Sequence, residues 1–125
     1  MNVSNPKVLI VDDAGFVRGI IKKYLEQDDF EVVGEADDGD VGLELFKQLQ
    51  PDIVTMDITM PNMDGLTCME EMLKIKSDTK ILIITSLNNK TTLLEAVDRG
   101  AAGFIVKPFV EAKLIAEFKK LLAPL

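Results

Sequence analysis

Four apolar runs in this sequence each end in a residue able to do chemistry. VLIV (8–11) ends in Asp12 and Asp13, and IVTM (53–56) ends in Asp57. ILII (81–84) ends in Thr85 and Ser86, and GFIV (103–106) ends in Lys107, followed by Pro108. A lone carboxylate at the edge of a core is costly unless it is paired or bound to a metal. Carboxylates brought together repel one another: at an effective dielectric of ~20, two unit charges ~4 Å apart interact by ~4 kcal/mol. A cluster of Asp12, Asp13 and Asp57 therefore calls for a cation. Oxygen donors point to a hard ion, Mg²⁺ or similar, which keeps several waters and takes one or two carboxylates plus a phosphate. Lys107 and Thr85 would face the remaining anionic oxygens. The chemistry is phosphoryl transfer, in which positioning and charge neutralisation supply most of the catalysis. Carboxylates serve as aspartyl-phosphate nucleophiles. Asp57, followed by the loop ITMPNMDG, is the candidate nucleophile.

For these residues to meet, the four runs must be neighbouring strands whose carboxyl ends share one rim. The rest of the sequence supplies the connections. KVLIVD (7–12) reads as a strand covered on both faces, as a near-continuous apolar run should. FVRGIIKKYLEQ (16–27) predicts a helix, with Phe16, Ile20 and Tyr24 at helical spacing and Val17, Ile21 and Leu25 beside them. EVVGEA (31–36) is more polar and reads as an edge strand, with Asp37 and Asp38 beyond its end. Val41, Leu45 and Leu49 mark a second helix, ended by Pro51. DIVTMD (52–57) is the third strand; Leu66, Met69, Met72 and Leu73 mark the third helix. KILIIT (80–85) is a fourth strand, and Leu93, Ala96 and Val97 mark a fourth helix closed by Gly100. GFIV is a short fifth strand, and Leu114, Ile115, Phe118, Leu121 and Leu122 form the stripe of a last helix. Strands alternating with helices imply parallel pairing through right-handed crossovers. The expected class is α/β: a doubly wound, five-stranded parallel sheet with five helices. Ligands of such folds bind outside the carboxyl ends of the strands.

Composition narrows the function. A chain of 125 residues, 47 % apolar and 28 % charged, fits one globular domain. One cysteine, Cys68, permits no internal disulfide and suits a reducing compartment. No apolar stretch approaches the ~18–20 residues that span a bilayer, and MNVSNPK has no hydrophobic signal region. A cytoplasmic protein without membrane insertion is expected. The net charge of −7, with no basic run longer than a lysine pair, argues against direct nucleic-acid binding as the main task. The chain has no histidine, which excludes a histidine metal site, a Ser-His-Asp hydrolase and a phosphohistidine carried on this chain.

VLIVDD (8–13), DIVTMDITMPNMDG (52–65), ILIITS (81–86) and GFIVKPF (103–109) together resemble the receiver domain of two-component response regulators, most closely the single-domain, chemotaxis CheY-like type. The resemblance covers essentially the whole chain and implies one receiver domain over 1–125 without an output domain. It implies the flavodoxin-like strand order 2-1-3-4-5. It matches Asp57 to the phosphoacceptor, Asp13 to a direct Mg²⁺ ligand, Asp12 to its water-mediated helper and Thr59 to a residue ligating through its backbone carbonyl. Thr85 matches the hydroxyl that turns toward the phosphoryl group, Lys107 the lysine that pairs with it, and Phe104 the switch aromatic. The Lys107–Pro108 bond would be cis. The implied partners are a histidine kinase as phosphodonor, a protein target such as a flagellar motor switch, and a phosphatase. The target would bind a face made of the fourth helix, fifth strand and fifth helix, roughly residues 88–122. The protein would be a switch that catalyses its own phosphorylation and dephosphorylation rather than a turnover enzyme. Phosphorylation would bias a pre-existing two-state equilibrium. Phe104 stands where tyrosine is commoner, so the switch lacks a phenolic hydroxyl; Ser86 and Leu87 also depart from the usual pattern.

Taken singly, these residues read blandly. Asp12 and Asp13 could cap the first helix, and Lys107 could be a surface lysine. Met56, Met60, Met63, Met69 and Met72 read as core filler. Cys68 reads as structural, and the mixed charges of the last helix as a solvated face. Three other functions compete: an intermediate phosphorelay receiver, an aspartate-nucleophile phosphatase of the haloacid-dehalogenase type, and a flavin or nucleotide module. The phosphatase needs a second aspartate two residues after the nucleophile, where this chain has Thr59. The nucleotide module wants a glycine- or hydroxyl-rich first loop, where this chain has DDAGF.

Overall fold

The computed structural model describes residues 5–122. Residues 1–4 and 123–125, part of the expected 1–125 domain, lie outside the described residues. Strands and helices alternate: β1 (Lys7–Val11), α1 (Gly15–Glu26), β2 (Glu31–Ala36), α2 (Gly39–Leu49), β3 (Ile53–Met56), α3 (Gly65–Ile75), β4 (Lys80–Thr85), α4 (Lys90–Asp98), β5 (Gly103–Val106) and α5 (Glu111–Leu122). The five strands form one sheet in the order β2-β1-β3-β4-β5, and every neighbouring pair is parallel. The expected class and strand order are those observed.

Alternation within the strands divides the core. Leu9, Val11, Val54, Met56, Ile81 and Ile83 face Phe46 of α2, Met69 and Met72 of α3 and Ala96 of α4. Val8, Ile10, Ile53, Leu82, Ile84 and Ile105 face Ile21 and Leu25 of α1 and Leu114 and Phe118 of α5. Both faces of β1, β3 and β4 are thus buried, which is why these strands read as unbroken apolar runs. Met56, Met69 and Met72 are fully buried, while Met60 and Met63 pack against the same cluster. Among the described residues, no helix is long and apolar enough to cross a membrane.

The helices depart from their expected stripes at particular places. Phe16 is 79 % exposed, and the buried residues of α1 are Ile21 and Leu25. The first turn of α1 stands at the rim, beyond the strand ends, so an apolar residue there has no sheet beneath it. In α2, Val41 is exposed; Gly42, Phe46 and Gly39 are the buried positions. A Cβ on Gly42 would stand 3.1 Å from the Val11 methyls, so α2 rests closely on β1 at this glycine. Val97 of α4 and Leu122 of α5 also face solvent.

Candidate functional site

The termini of β1, β3, β4 and β5 deliver their polar residues to one rim. Asp57 follows β3 directly, and its N–H still bonds to the Val11 carbonyl at 3.0 Å. Asp12 likewise continues β1, its N–H bonding to the Ala36 carbonyl at 3.0 Å. Both side chains are buried, whereas Asp13 is exposed. One carboxylate oxygen from each of Asp12, Asp13 and Asp57 lies within 4.8 Å of the others. Lys107 Nζ donates to Asp12 Oδ2 at 2.7 Å and to Asp57 Oδ2 at 3.3 Å. The Lys107–Pro108 peptide is cis, and the Lys107 N–H bonds to the Thr85 carbonyl at 2.8 Å.

Asp12 and Asp13 are not helix caps. Residue Ala14 holds the N-cap position of α1 and makes no side-chain cap bond. The other caps are separate: Asp38 accepts from Val41, Asp64 from Leu66 and Thr67, and Asn89 from Thr92. Neither aspartate at the end of β1 occupies the N-cap position, although Asp12 Oδ1 accepts locally from the Ala14 N–H at 2.9 Å.

Burial shapes the charges. Desolvation pushes the Asp57 carboxyl above its ordinary pKa, the neighbouring Asp12 adds to the rise, and Lys107 opposes it. Burial acts to lower the pKa of Lys107, but its bond to Asp12 and the charge of Asp57 outweigh this and leave it raised. The three carboxylates outnumber the one ammonium, which touches only Asp12 and Asp57, and every side-chain donor atom in the cluster is oxygen. That set fits Mg²⁺, a small hard cation that takes carboxylates and waters.

Comparison with known proteins agrees with the geometry. The sequence profile of the response regulator receiver domain matches residues 8–119. The chain belongs to the response regulator receiver domain family. The receiver domain is 42 % identical to the chemotaxis protein CheY of Thermotoga maritima over 114 residues, covering 91 % of this chain and 95 % of that protein. It is 41 % identical to the chemotaxis protein CheY of Bacillus subtilis over 116 residues, covering 93 % and 97 %. Among solved structures, the CheX-CheY-BeF3-Mg²⁺ complex of Borrelia burgdorferi includes a chain that superposes with a TM-score of 0.92. That match has 31 % identity and covers 94 % of this chain and 90 % of the other.

The remaining residues of interest lie around this cluster in the receiver domain. The Thr85 hydroxyl is buried and accepts from the Leu87 N–H at 3.1 Å; among the described residues no hydrogen bond ties it to the carboxylates. The Thr59 side chain is exposed on the loop after Asp57. Phe104 stands apart, 37 % exposed on the edge strand β5. Cys68 is buried, and desolvation first, then nearby carboxylates, pushes its thiol up to about 12, which makes it unreactive.

Three features of the site were not read from the sequence. Gly65 opens α3 so close to Asp57 that any Cβ would overlap the Asp57 carbonyl. The loop after β3 is tied to α2 by Asn62 donating to Asp38 at 2.9 Å. Arg18, on α1, donates to the Asp12 carbonyl. A glycine directly before an apolar helix is a usable signal for the first. The other two are side-chain contacts between separate elements, which leave no period in the sequence.

Proposed function

We propose that this receiver domain accepts a phosphoryl group on Asp57 from a phosphohistidine of a partner kinase, with Mg²⁺ as cofactor, and thereby switches its binding to a protein target. The observation that carries this reading is the convergence of three carboxylate oxygens within 4.8 Å, with Lys107 bridging two of them. An Asp57 carboxylate oxygen attacks phosphorus, the P–N bond to the donor imidazole breaks, and the departing ring keeps the electron pair and takes a proton. Asp12, Asp13, Asp57 and the Thr59 carbonyl would hold Mg²⁺, which supplies charge neutralisation at the phosphoryl oxygens. Lys107 places a second positive charge there. Its contacts to Asp12 and Asp57 keep the ammonium at the acceptor before any donor arrives.

The donor has a surface to dock on. An apolar cavity of about 370 Å³ adjoins the site, lined by Phe16, Val17, Ile20, Ser86, Lys107 and Phe109 among others. Lys107 belongs to both the cavity and the acceptor cluster, so a histidine-bearing helix seated there lies next to Asp57.

On phosphorylation the Thr85 hydroxyl leaves the Leu87 N–H for the phosphoryl group, and Phe104 swings inward behind it. The output face is α4-β5-α5, where Leu94, Val97 and Phe104 stay exposed. The relatives named as chemotaxis proteins favour a chemotaxis pathway with a motor-type target, in the cytoplasm. The Borrelia complex favours a CheX-like protein as a further partner. The domain is then a switch rather than a turnover enzyme.

Intact mass after incubation with Mg²⁺ and acetyl phosphate tests the reading. One phosphoryl adduct is expected, absent from Asp57→Asn and from an EDTA control. No adduct, no inorganic phosphate release and no beryllofluoride binding in the presence of bound Mg²⁺ would overturn it.

A further inference from the structure

Asp12 is held at every polar atom. Its N–H donates to the Ala36 carbonyl at 3.0 Å, its Oδ1 accepts from the Ala14 N–H at 2.9 Å, and its Oδ2 accepts from Lys107 at 2.7 Å. Its carbonyl accepts from Arg18 Nη1 at 2.5 Å. Arg18 reaches that carbonyl by folding back over the first turn of α1. Gly15 leaves room for it there: a Cβ on Gly15 would come 3.3 Å from Nη2. The guanidinium is anchored from the other side by Glu35, whose Oε1 accepts from Nε at 3.2 Å. Glu35 precedes Ala36 on β2. The edge strand therefore fixes both backbone ends of Asp12, directly through Ala36 and indirectly through Arg18.

Asp13 is in a different position. It is exposed, and among the described residues no hydrogen bond to its side chain is found. Its carboxylate still sits within 4.8 Å of those of Asp12 and Asp57. Its direction comes from the backbone. The peptide linking Asp12 to Asp13 is planar, so an arginine that fixes the Asp12 carbonyl also fixes the line along which the chain enters Asp13.

We infer that Arg18, braced by Glu35, is a positioning residue for the metal: it clamps the Asp12 carbonyl and so aims the Asp13 carboxylate at the Mg²⁺ site. The inference rests on the Mg²⁺ reading of that site. The bland alternative is an ordinary surface ion pair between Arg18 and Glu35, which would contribute little to anything. The bond to the Asp12 carbonyl distinguishes the two. It uses a second nitrogen of the guanidinium, Nη1 beside the Nε that bonds Glu35, in a rigid planar fork that a lysine's single ammonium nitrogen does not reproduce.

Titration calorimetry of Mg²⁺, without any phosphodonor, tests this on the wild type, Asp13→Ala, Arg18→Ala, Arg18→Lys and Glu35→Gln. Thermal melts run alongside them. Removing a group that orients a metal ligand typically weakens affinity by about 10–100-fold. The expected result is no detectable binding for Asp13→Ala, Kd raised roughly 10-fold for Arg18→Ala, and a smaller rise, on the order of 3-fold, for Arg18→Lys and Glu35→Gln. A merely structural arginine would lower the melting temperature and leave the Kd of the folded protein alone. Arg18→Ala that folds and binds Mg²⁺ with the wild-type Kd overturns the inference. If Arg18→Ala does not fold, wild-type Kd values in both Arg18→Lys and Glu35→Gln overturn it. Absence of Mg²⁺ binding by the wild type, or unchanged binding by Asp13→Ala, would sink the metal reading and this inference with it.

Discussion

Two buried carboxylates, Asp12 and Asp57, meet one ammonium at this rim, and the balance between them sets what single substitutions do. Burial and Asp12 raise the Asp57 carboxyl, so its ionised form weakens the fold. As pH falls through the raised folded-state pKa, the native chain takes up a proton before the unfolded chain does. The native state gains relative stability in that window, and loses it as pH rises back through the window. Asp57→Asn removes the penalty. Without metal at pH 7 it should therefore be more stable than the wild type by about 1 kcal/mol, a gain single stabilising changes commonly reach. The difference should shrink toward pH 4. Paired urea melts in EDTA at the two pH values check both the sign and its pH dependence. Lys107→Ala acts in the opposite direction. Asp12 and Asp57 are only 2 % and 8 % exposed at the side chain, and this change leaves them without their cation. Breaking such a pair costs about 3–5 kcal/mol. The expected loss is near the lower figure because Lys107 itself is 18 % exposed. Adding Asp57→Asn to Lys107→Ala should recover part of it, which a double-mutant cycle by chemical denaturation measures.

The elements around the site show how local fit holds those charges in place. The Gly65 N–H bonds to the Ile58 carbonyl at 2.8 Å, and its missing Cβ lets α3 begin against the Asp57 backbone. Gly65→Ala must push either the helix or the Asp57 peptide aside. Overpacking of this kind costs about 1–3 kcal/mol. Here it should also slow acetyl phosphate labelling more than a matched core substitution, Met72→Ala, that leaves the rim alone. Melts and labelling rates on the same two variants separate the effects. Much of this architecture was legible in the sequence. β1, β3 and β4 are sandwiched by helices, so both of their faces are apolar, and their first polar residues mark the rim. That is how Asp12, Asp13, Asp57 and Lys107 could be placed together, as the structure has them. Helix stripes were less legible. Phe16 falls at helical spacing with Ile20 and Tyr24, but spacing does not say where the sheet beneath α1 ends. At Gly42 and Phe46, contact with β1 is made by a glycine and its neighbour one turn on, a packing detail that pattern alone does not weigh. The Arg18, Glu35 and Asp12 chain, and the Asn62 to Asp38 bond, join separate elements through polar side chains and have no sequence period.

For the molecule as a whole, the rim is where four strands are tied into one unit. Asp12 ends β1, Asp57 ends β3, Lys107 ends β5, and the Lys107 N–H bonds back to Thr85 at the end of β4. A ligand that binds this rim only when the strands are in register binds the native state and not the unfolded chain. Global stability must then rise with its concentration, by about 2.7 kcal/mol at one hundred times its Kd. For a domain of this size, each kcal/mol moves the melting temperature by roughly 3–6 °C. Saturating Mg²⁺ should thus raise the melting temperature by about 8–16 °C over EDTA. The carboxylate repulsion that the cation relieves is built into the native rim and absent from an unfolded chain, so the effect should follow the cluster rather than ionic strength. Replacing Mg²⁺ with KCl of equal ionic strength should leave the EDTA value nearly unchanged. Asp13→Ala, whose side chain is exposed and carries no core packing, should fold normally yet lose most of the Mg²⁺ increment. Differential scanning calorimetry over a Mg²⁺ series checks this. A rise of the same size in KCl, or in Asp13→Ala, would mean that the metal acts as a general screening salt. The rim would then not be the metal site on which the proposed phosphoryl chemistry depends.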